Sequence, residues 1–108
     1  MANHRLIVFT NPKEGREQDF RDWYVNTHLA EVSNRDGLIS GQLYTLATPV
    51  AEGGHRHMAV YEIEEGRLGE AQQALGGALK GGTLNMTDAF GPGQAALWWQ
   101  EEAPAVTR

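Results

Sequence analysis

Residues 16–34 read REQDFRDWYVNTHLAEVSN, and their periodicity decides the fold. Phe20, Trp23, Tyr24, Thr27, Ala30 and Glu31 recur at spacings of three and four, which places them along one side of an amphipathic helix. The helix is expected to start at Arg16, after the turn chemistry of Pro12-Lys13-Glu14-Gly15. Its end falls between Asn34 and Gly37, where Asn, Asp and Gly can adopt the left-handed conformation of a helix C-terminus. Before the helix, His4–Thr10 (HRLIVFT) is a short β-branched and aromatic run stopped by Asn11-Pro12, as in a strand buried on both faces. After it, Leu38–Thr48 (LISGQLYTLAT) reads as a second strand ended by Pro49, in which Gly41 signals a bulge or a close backbone approach.

The rest of the chain repeats this order. Ala51-Glu52-Gly53-Gly54 is a hairpin loop, and His55–Glu64 (HRHMAVYEIE) alternates His55, His57, Ala59, Tyr61 and Ile63 with Arg56, Met58, Val60, Glu62 and Glu64, as a strand with two chemically different faces does. Leu68, Ala71, Leu75, Ala78 and Leu79 mark a second helix from about Arg67, weakened near its end by Gly76-Gly77. Residues 80–93 have no clean period, and Ala95–Gln100 (AALWWQ) makes a fourth strand. The order βαββαβ predicts an α+β, ferredoxin-like sandwich over residues 1–108: one domain, with a four-stranded antiparallel sheet and two helices on one of its faces. The other face is left open. Trp98 and Trp99 are adjacent in a strand and so point to opposite sides, which puts one of them on that face. A second copy of the chain, packed sheet to sheet about a two-fold axis, is the economical cover.

Composition narrows the chemistry. The 108 residues are 41% hydrophobic and 21% charged, with nine basic and 14 acidic side chains and a formal charge of −5. The basic residues are scattered rather than clustered, which argues against nucleic acid as a partner. No apolar run approaches the roughly 20 residues of a membrane span, and the N-terminal stretch lacks a secretory pattern, so no membrane partner and a cytoplasmic location are expected. Zero cysteines exclude disulfides, thiolate nucleophiles and cysteine-based metal sites. No Ser stands in a GxSxG turn, and Lys80, set among glycines, is not in a phosphate-loop pattern.

The segment Phe20-x-x-Trp23-Tyr24-x-x-x-His28-Leu29-x-Glu31-Val32, preceded by Asn11-Pro12-x-x-Gly15 and followed by Gly37-Leu38-Ile39-Ser40 and Tyr44, resembles the EthD-like branch of the dimeric α+β barrel proteins. Ala59-Val60-Tyr61-Glu62-Ile63 and Thr87-Asp88 fit the resemblance, which spans residues 5–100. It implies a homodimer with a ligand cavity between the sheet and the first helix of each subunit. The superfamily includes muconolactone-type isomerases, polyketide cyclases, haem-degrading oxygenases and proteins without a known reaction, so the fold does not choose among activities.

His28 is the foremost candidate for chemistry. Glu31 follows at i+3, close enough on a helix to hold one imidazole nitrogen and leave the other for a ligand; the alternative is a packed helix-end histidine in a structural ion pair. His57 shares a strand face with His55, Ala59 and Tyr61 and can donate to a developing enolate oxygen if that face lines the cavity, while His55, beside the glycine loop, reads as solvent-exposed. Tyr44 shares its face with Leu38, Ser40, Gln42 and Leu46 and is either a core aromatic or a cavity hydroxyl. The His-Tyr pairing of superfamily cyclases and isomerases implies the second. Trp23, Tyr24, Arg56 and Tyr61 are the candidate substrate contacts, with core packing as the alternative for Trp23 and simple solvation for Arg56. His28, Glu31 and His57 could supply metal ligands, but no histidine pair has a known motif spacing, so neither metal nor cofactor is expected. The resulting expectation is cofactor-independent proton transfer, as an isomerase, cyclase or lyase, on a small aromatic or polyketide-like carbonyl compound. The alternatives are a binding protein for a small apolar ligand and a haem- or metal-dependent monooxygenase.

Overall fold

The computed structural model describes residues 3–108. Its elements are β1 (His4–Thr10), α1 (Glu17–Trp23), a π-helical turn (Tyr24–His28), α2 (Leu29–Ser33), β2 (Leu38–Thr45), β3 (His57–Ile63), α3 (Leu68–Gly81) and β4 (Ala95–Gln100). The strands form one antiparallel sheet in the order β2-β3-β1-β4. This is the ferredoxin-like arrangement, with the two helical layers packed on one side of the sheet.

The core lies between sheet and helices. Leu6 of β1 and Ala59, Tyr61 and Ile63 of β3 meet Phe20, Tyr24 and Val32 of the first helix and Ala71 and Leu75 of α3. Alternation in β3 is strict: His57, Ala59, Tyr61 and Ile63 are buried, and Met58, Val60 and Glu62 are not. Gly76 and Gly77 do not break α3, because Ala71, Leu75 and Ala78 anchor it in the core on either side of them. The first helix ends at Ser33, its cap Asn34 keeps a negative φ of −86°, and the left-handed residue is Gly37, whose backbone rests against Ala71 with no room for a Cβ.

Three strand expectations change. β2 carries an irregularity between Leu38, which pairs with Ile63, and Ser40, which pairs with Glu62. The extra residue separates Leu38, packed against the core, from Ser40, Gln42 and Tyr44 on the opposite face. β2 and β3 are also shorter at the hairpin end than the apolar runs suggested. There the Asn11 side chain accepts from the Arg56 N–H (2.8 Å) and donates to the Gly54 carbonyl (3.1 Å), diverting backbone groups from the ladder. Finally, β1 is not buried on both sides. Ile7 and Phe9 remain half-exposed on the uncovered face, in line with Val60, Met58 and Leu97 of the neighbouring strands. Leu97 and Trp99 are exposed on this face, whereas Trp98 pairs with Leu6 and turns toward the helix side. Among the described residues, no helix is long and apolar enough to cross a membrane.

Candidate active site

The π-helical turn at residues 24–28 builds the site. The Leu29 N–H donates to the Tyr24 carbonyl five residues back, so one extra residue is accommodated inside an otherwise α-helical run. The widened turn carries Tyr24 at its start and His28 at its end, both toward the sheet. His28 stacks on Trp23 (ring centroids 4.3 Å apart, 21° between planes) and meets the edge of Tyr24 at 5.1 Å. Its Nδ1 is enclosed and has no hydrogen-bond partner. Burial dominates its titration and lowers the pKa to about 4, against a weaker upward pull from the Glu31 carboxylate. The imidazole is therefore uncharged at neutral pH, with a lone pair on one ring nitrogen.

Glu31 does not hold that imidazole. Its two carboxylate oxygens accept from the Asn85 backbone N–H (3.0 Å) and the Asn85 side-chain amide (2.8 Å). A carboxylate accepts several donors, and Asn85 supplies two on the solvent side, which leaves the i+3 proximity to His28 as a through-space effect. The same residue receives the Trp23 indole N–H on its carbonyl at 2.6 Å. Asn85 thus fastens the loop at 82–94 onto the first helix, and Arg16 secures the loop again through Asp88 at 2.9 Å. A pairing of Pro12 with Phe90 completes the attachment.

Between this loop, the π turn, the sheet and α3 lies a cavity of about 160 Å³. Its wall is aliphatic and aromatic, with Leu6, Val8, Val32, Leu75, Leu84, Met86 and Phe90, and its polar members are Tyr24, His28, Tyr61 and Gln94. No Asp, Glu, Lys or Arg lines it. Tyr24 and Tyr61 are each 1% exposed, and the Tyr24 hydroxyl interacts with those of Tyr61 and Thr10. Neither Thr10 Oγ1 nor Tyr61 Oη forms a well-shaped hydrogen bond, so this buried hydroxyl group is close-set yet unsatisfied. Burial pushes the Tyr24 phenol up to about 12 and Tyr61 further in the same direction, so both keep their protons.

The other predicted residues lie apart from this cavity. Tyr44 is on the uncovered sheet face, paired with Met58 and 46% exposed, so it does not join His28. His57 does face the helices, but at the hairpin end, where its ring packs on Phe20 at 5.2 Å and its Nδ1 meets Thr45 Oγ1 at 3.2 Å. Burial, and then Arg56, lower its pKa. The Arg56 side chain is exposed, and His55 is tied to the Gly93 carbonyl and packed on Phe9. These residues border a second depression of about 220 Å³ with Phe9, Tyr44 and Met58. Although larger, it adjoins the uncovered face and contains neither His28 nor the unsatisfied tyrosine. Among the described residues, no three His, Asp or Glu side chains are placed to share a metal ion. Sequence reasoning passed over Leu84, Asn85, Met86 and Phe90 because residues 80–93 have no clean period, and Gln94 because it falls between that stretch and the fourth strand; the local signal was an apolar residue every few positions in a loop, which marks a segment packed on something.

No family model and no curated protein matches the sequence. Solved structures do. A proposed monooxygenase from Shewanella loihica superposes with a TM-score of 0.69 at 12% identity, over 95% of this chain and 97% of that one. The haem-degrader MhuD of Mycobacterium tuberculosis, solved with two haems bound in its active site, gives 0.65 at 17% identity over 95% and 99%. The fold is that of the dimeric α+β barrel proteins. An ethyl tert-butyl ether d (EthD) family protein from Bacillus halodurans gives 0.54 at 18% identity over 94% and 99%. The expected EthD-like resemblance thus has a structural counterpart at the level of fold.

Proposed function

We propose that the protein is a small enzyme that moves a proton at carbon next to a carbonyl in a ligand held in the 160 Å³ cavity, without a cofactor, in an isomerase, cyclase or lyase step. The observation that carries this reading is His28: an uncharged imidazole, its Nδ1 without a partner, in a residue that lines an apolar cavity together with a protonated tyrosine whose hydroxyl forms no well-shaped hydrogen bond. An imidazole lone pair takes the α-proton, electron density moves onto the carbonyl oxygen, and the Tyr61 hydroxyl stabilises that oxygen by donating to it. If the imidazolium trades its proton with solvent, reprotonation at the same carbon gives exchange, and delivery of a proton to another carbon gives isomerisation. Tyr61 replaces Tyr44 and His57 as the donor in this scheme, and Trp23 and Tyr24 hold the imidazole rather than the substrate. Small aromatic or polyketide-like carbonyl compounds remain the substrate class.

A haem does not fit the site as folded. The macrocycle is several times larger than one ring, and the cavity wall has no cation to receive its two carboxylates. The second reading is a binding protein that uses the same cavity, favoured by the depressed basicity of His28, which makes the imidazole a weak base. The two separate in heavy water. With acetophenone or cyclohexanone as probe, an enzyme of this kind accelerates deuterium incorporation next to the carbonyl above the buffer rate, and His28→Gln removes the acceleration. Probe binding without acceleration leaves the binding protein.

The proposal includes a homodimer formed through the open sheet face. Ile7, Phe9, Met58, Val60, Leu97 and Trp99 form a continuous apolar surface across three strands, which a solitary soluble chain rarely leaves to water.

A further inference from the structure

We infer that the cavity selects an uncharged compound of about one ring whose single carbonyl or hydroxyl group is seated on the Tyr61 hydroxyl, and that it rejects carboxylates. This inference rests on the reading of the cavity as the ligand site. Its volume of about 160 Å³ matches the scale of apolar protein cavities, about 150 Å³, that take up benzene.

Charge decides the second part. Cavities that accept anions place Arg, Lys or a set of free backbone N–H groups where the anion sits. Here the wall carries no cationic side chain, and its histidine is neutral. The nearest carboxylate, Glu31, has its oxygens committed to Asn85 outside the cavity and adds a repulsive field. A buried carboxylate without a partner is strongly disfavoured relative to water. What the wall offers instead is a neutral donor. Tyr61 Oη is sealed from solvent and, although set close to the Tyr24 hydroxyl, forms no well-shaped hydrogen bond, and Thr10 and Tyr24, which pack against it, are equally closed off. Buried hydroxyls in folded proteins are almost always satisfied, and a ligand oxygen that displaces the Tyr24 hydroxyl from beside it would satisfy this one.

The test is a binding comparison with three probes of nearly equal size: acetophenone, ethylbenzene and benzoate, titrated into the whole protein and followed by calorimetry or ligand-observed NMR. Acetophenone should bind roughly 3- to 10-fold tighter than ethylbenzene, the effect of one neutral hydrogen bond. Benzoate should bind at least about 100-fold more weakly than acetophenone. In Tyr61→Phe the affinity for acetophenone should fall to that for ethylbenzene, and ethylbenzene itself should be unaffected. Benzoate binding on a par with acetophenone overturns the inference and leaves the cavity as the site; this comparison needs no variant, so it stands even if Tyr61→Phe folds poorly. Equal loss of both neutral probes in a folded Tyr61→Phe overturns it as well. Failure of all three probes to bind overturns the cavity itself as a ligand site, and the inference with it.

Discussion

Glu31 and Asn85 grip each other at two points, the Asn85 backbone N–H and its side-chain amide both donating to one carboxylate, across 54 residues of sequence. With the Trp23 indole bonded to the same asparagine, helix and loop are joined directly above the cavity. The latch makes Glu31 a determinant of access rather than the partner of His28. Glu31→Ala should release the loop: hydrogen exchange at the Asn85 and Met86 amides should accelerate at least about fivefold, and the melting temperature should fall by about 4 °C, the equivalent of roughly 1 kcal/mol in a domain of this size. Ligand association should become faster, with little change in the titration of His28. Unaltered exchange in the loop would show that the Arg16–Asp88 contact and the Pro12–Phe90 pairing hold it unaided.

His28 carries the chemistry in the proposed reaction. His28→Gln should lower kcat for α-proton exchange by at least about 100-fold, the lower end of what a positioned base contributes, and leave the oligomeric state unchanged. The wild-type rate should rise with pH along a single limb centred near the lowered pKa of about 4 and then stay flat through neutrality. A limb centred above pH 6 would mean that the imidazole is wetter than its packing on Trp23 and Tyr24 implies.

The same lowered pKa has a consequence for stability. The unfolded histidine takes up its proton near pH 6.5 and the folded one only near 4, so protonation favours the unfolded chain in that interval. Stability is unaffected by this group above pH 6.5 and declines as pH falls from 6.5 toward 4. In His28→Gln that part of the decline should disappear, narrowing the difference in melting temperature between pH 7 and pH 4.5 by about 4 °C or more. Superimposable pH dependences for the two proteins would place the ring in water.

The open face yields a prediction about assembly. Ile7 lies in the inner strand β1, opposite Val60 on one side and Leu97 on the other. Light scattering of the wild type at micromolar concentration should give twice the 11.9 kDa chain mass. Ile7→Glu places a charge in the middle of the apolar face and should give a monomer that keeps its helical and sheet content. A monomeric wild type would remove the proposed interface.

Gly41 tests the seating of Tyr61. A Cβ there would lie 2.8 Å from the tyrosine ring and 2.7 Å from Ser33 Oγ. Gly41→Ala should therefore displace the Tyr61 ring, destabilising the protein by roughly 1–3 kcal/mol and weakening oxygen-bearing ligands more than hydrocarbons. Equal weakening of both would indicate that the ring moved without moving its hydroxyl away from the ligand.

Much of this architecture is written in local pattern. β1 and β4 lie where their apolar runs place them, and the first helix follows from Phe20, Trp23 and Tyr24, because side-chain periodicity depends on neighbours a few residues away. The site is less legible. Tyr44 and His57 both read as candidate donors, yet they fall on opposite faces of the sheet, and Leu38, expected to share the face of Tyr44, is moved to the other by one irregular residue in β2. Glu31 reads as the partner of His28 because i+3 spacing is local, whereas its actual partner, Asn85, is brought by the tertiary fold. Tyr61 reads from the sequence as sharing a strand face with His57 and Ala59 and as a candidate substrate contact, but the incomplete hydrogen bonding of its hydroxyl depends on Thr10 and Tyr24, which lie on two other elements.

A π-helical turn is what remains when an α-helix absorbs one inserted residue, and it leaves this helix unusually sensitive to length. Each α-helical residue advances the chain by about 100° around the axis. Removing any one residue between Tyr24 and His28 would let the helix regularise, keeping either its N-terminal half, with Phe20, or its C-terminal half, with Val32, in register with the sheet, but not both in their present relation. Substitutions at the exposed positions Val25 and Asn26 should be freely accepted, while a single-residue deletion at the same place should separate His28 from the cavity or Glu31 from Asn85. Within this segment, residue number is under tighter constraint than residue identity, and relatives that share the reaction should differ here by replacement and never by a gap.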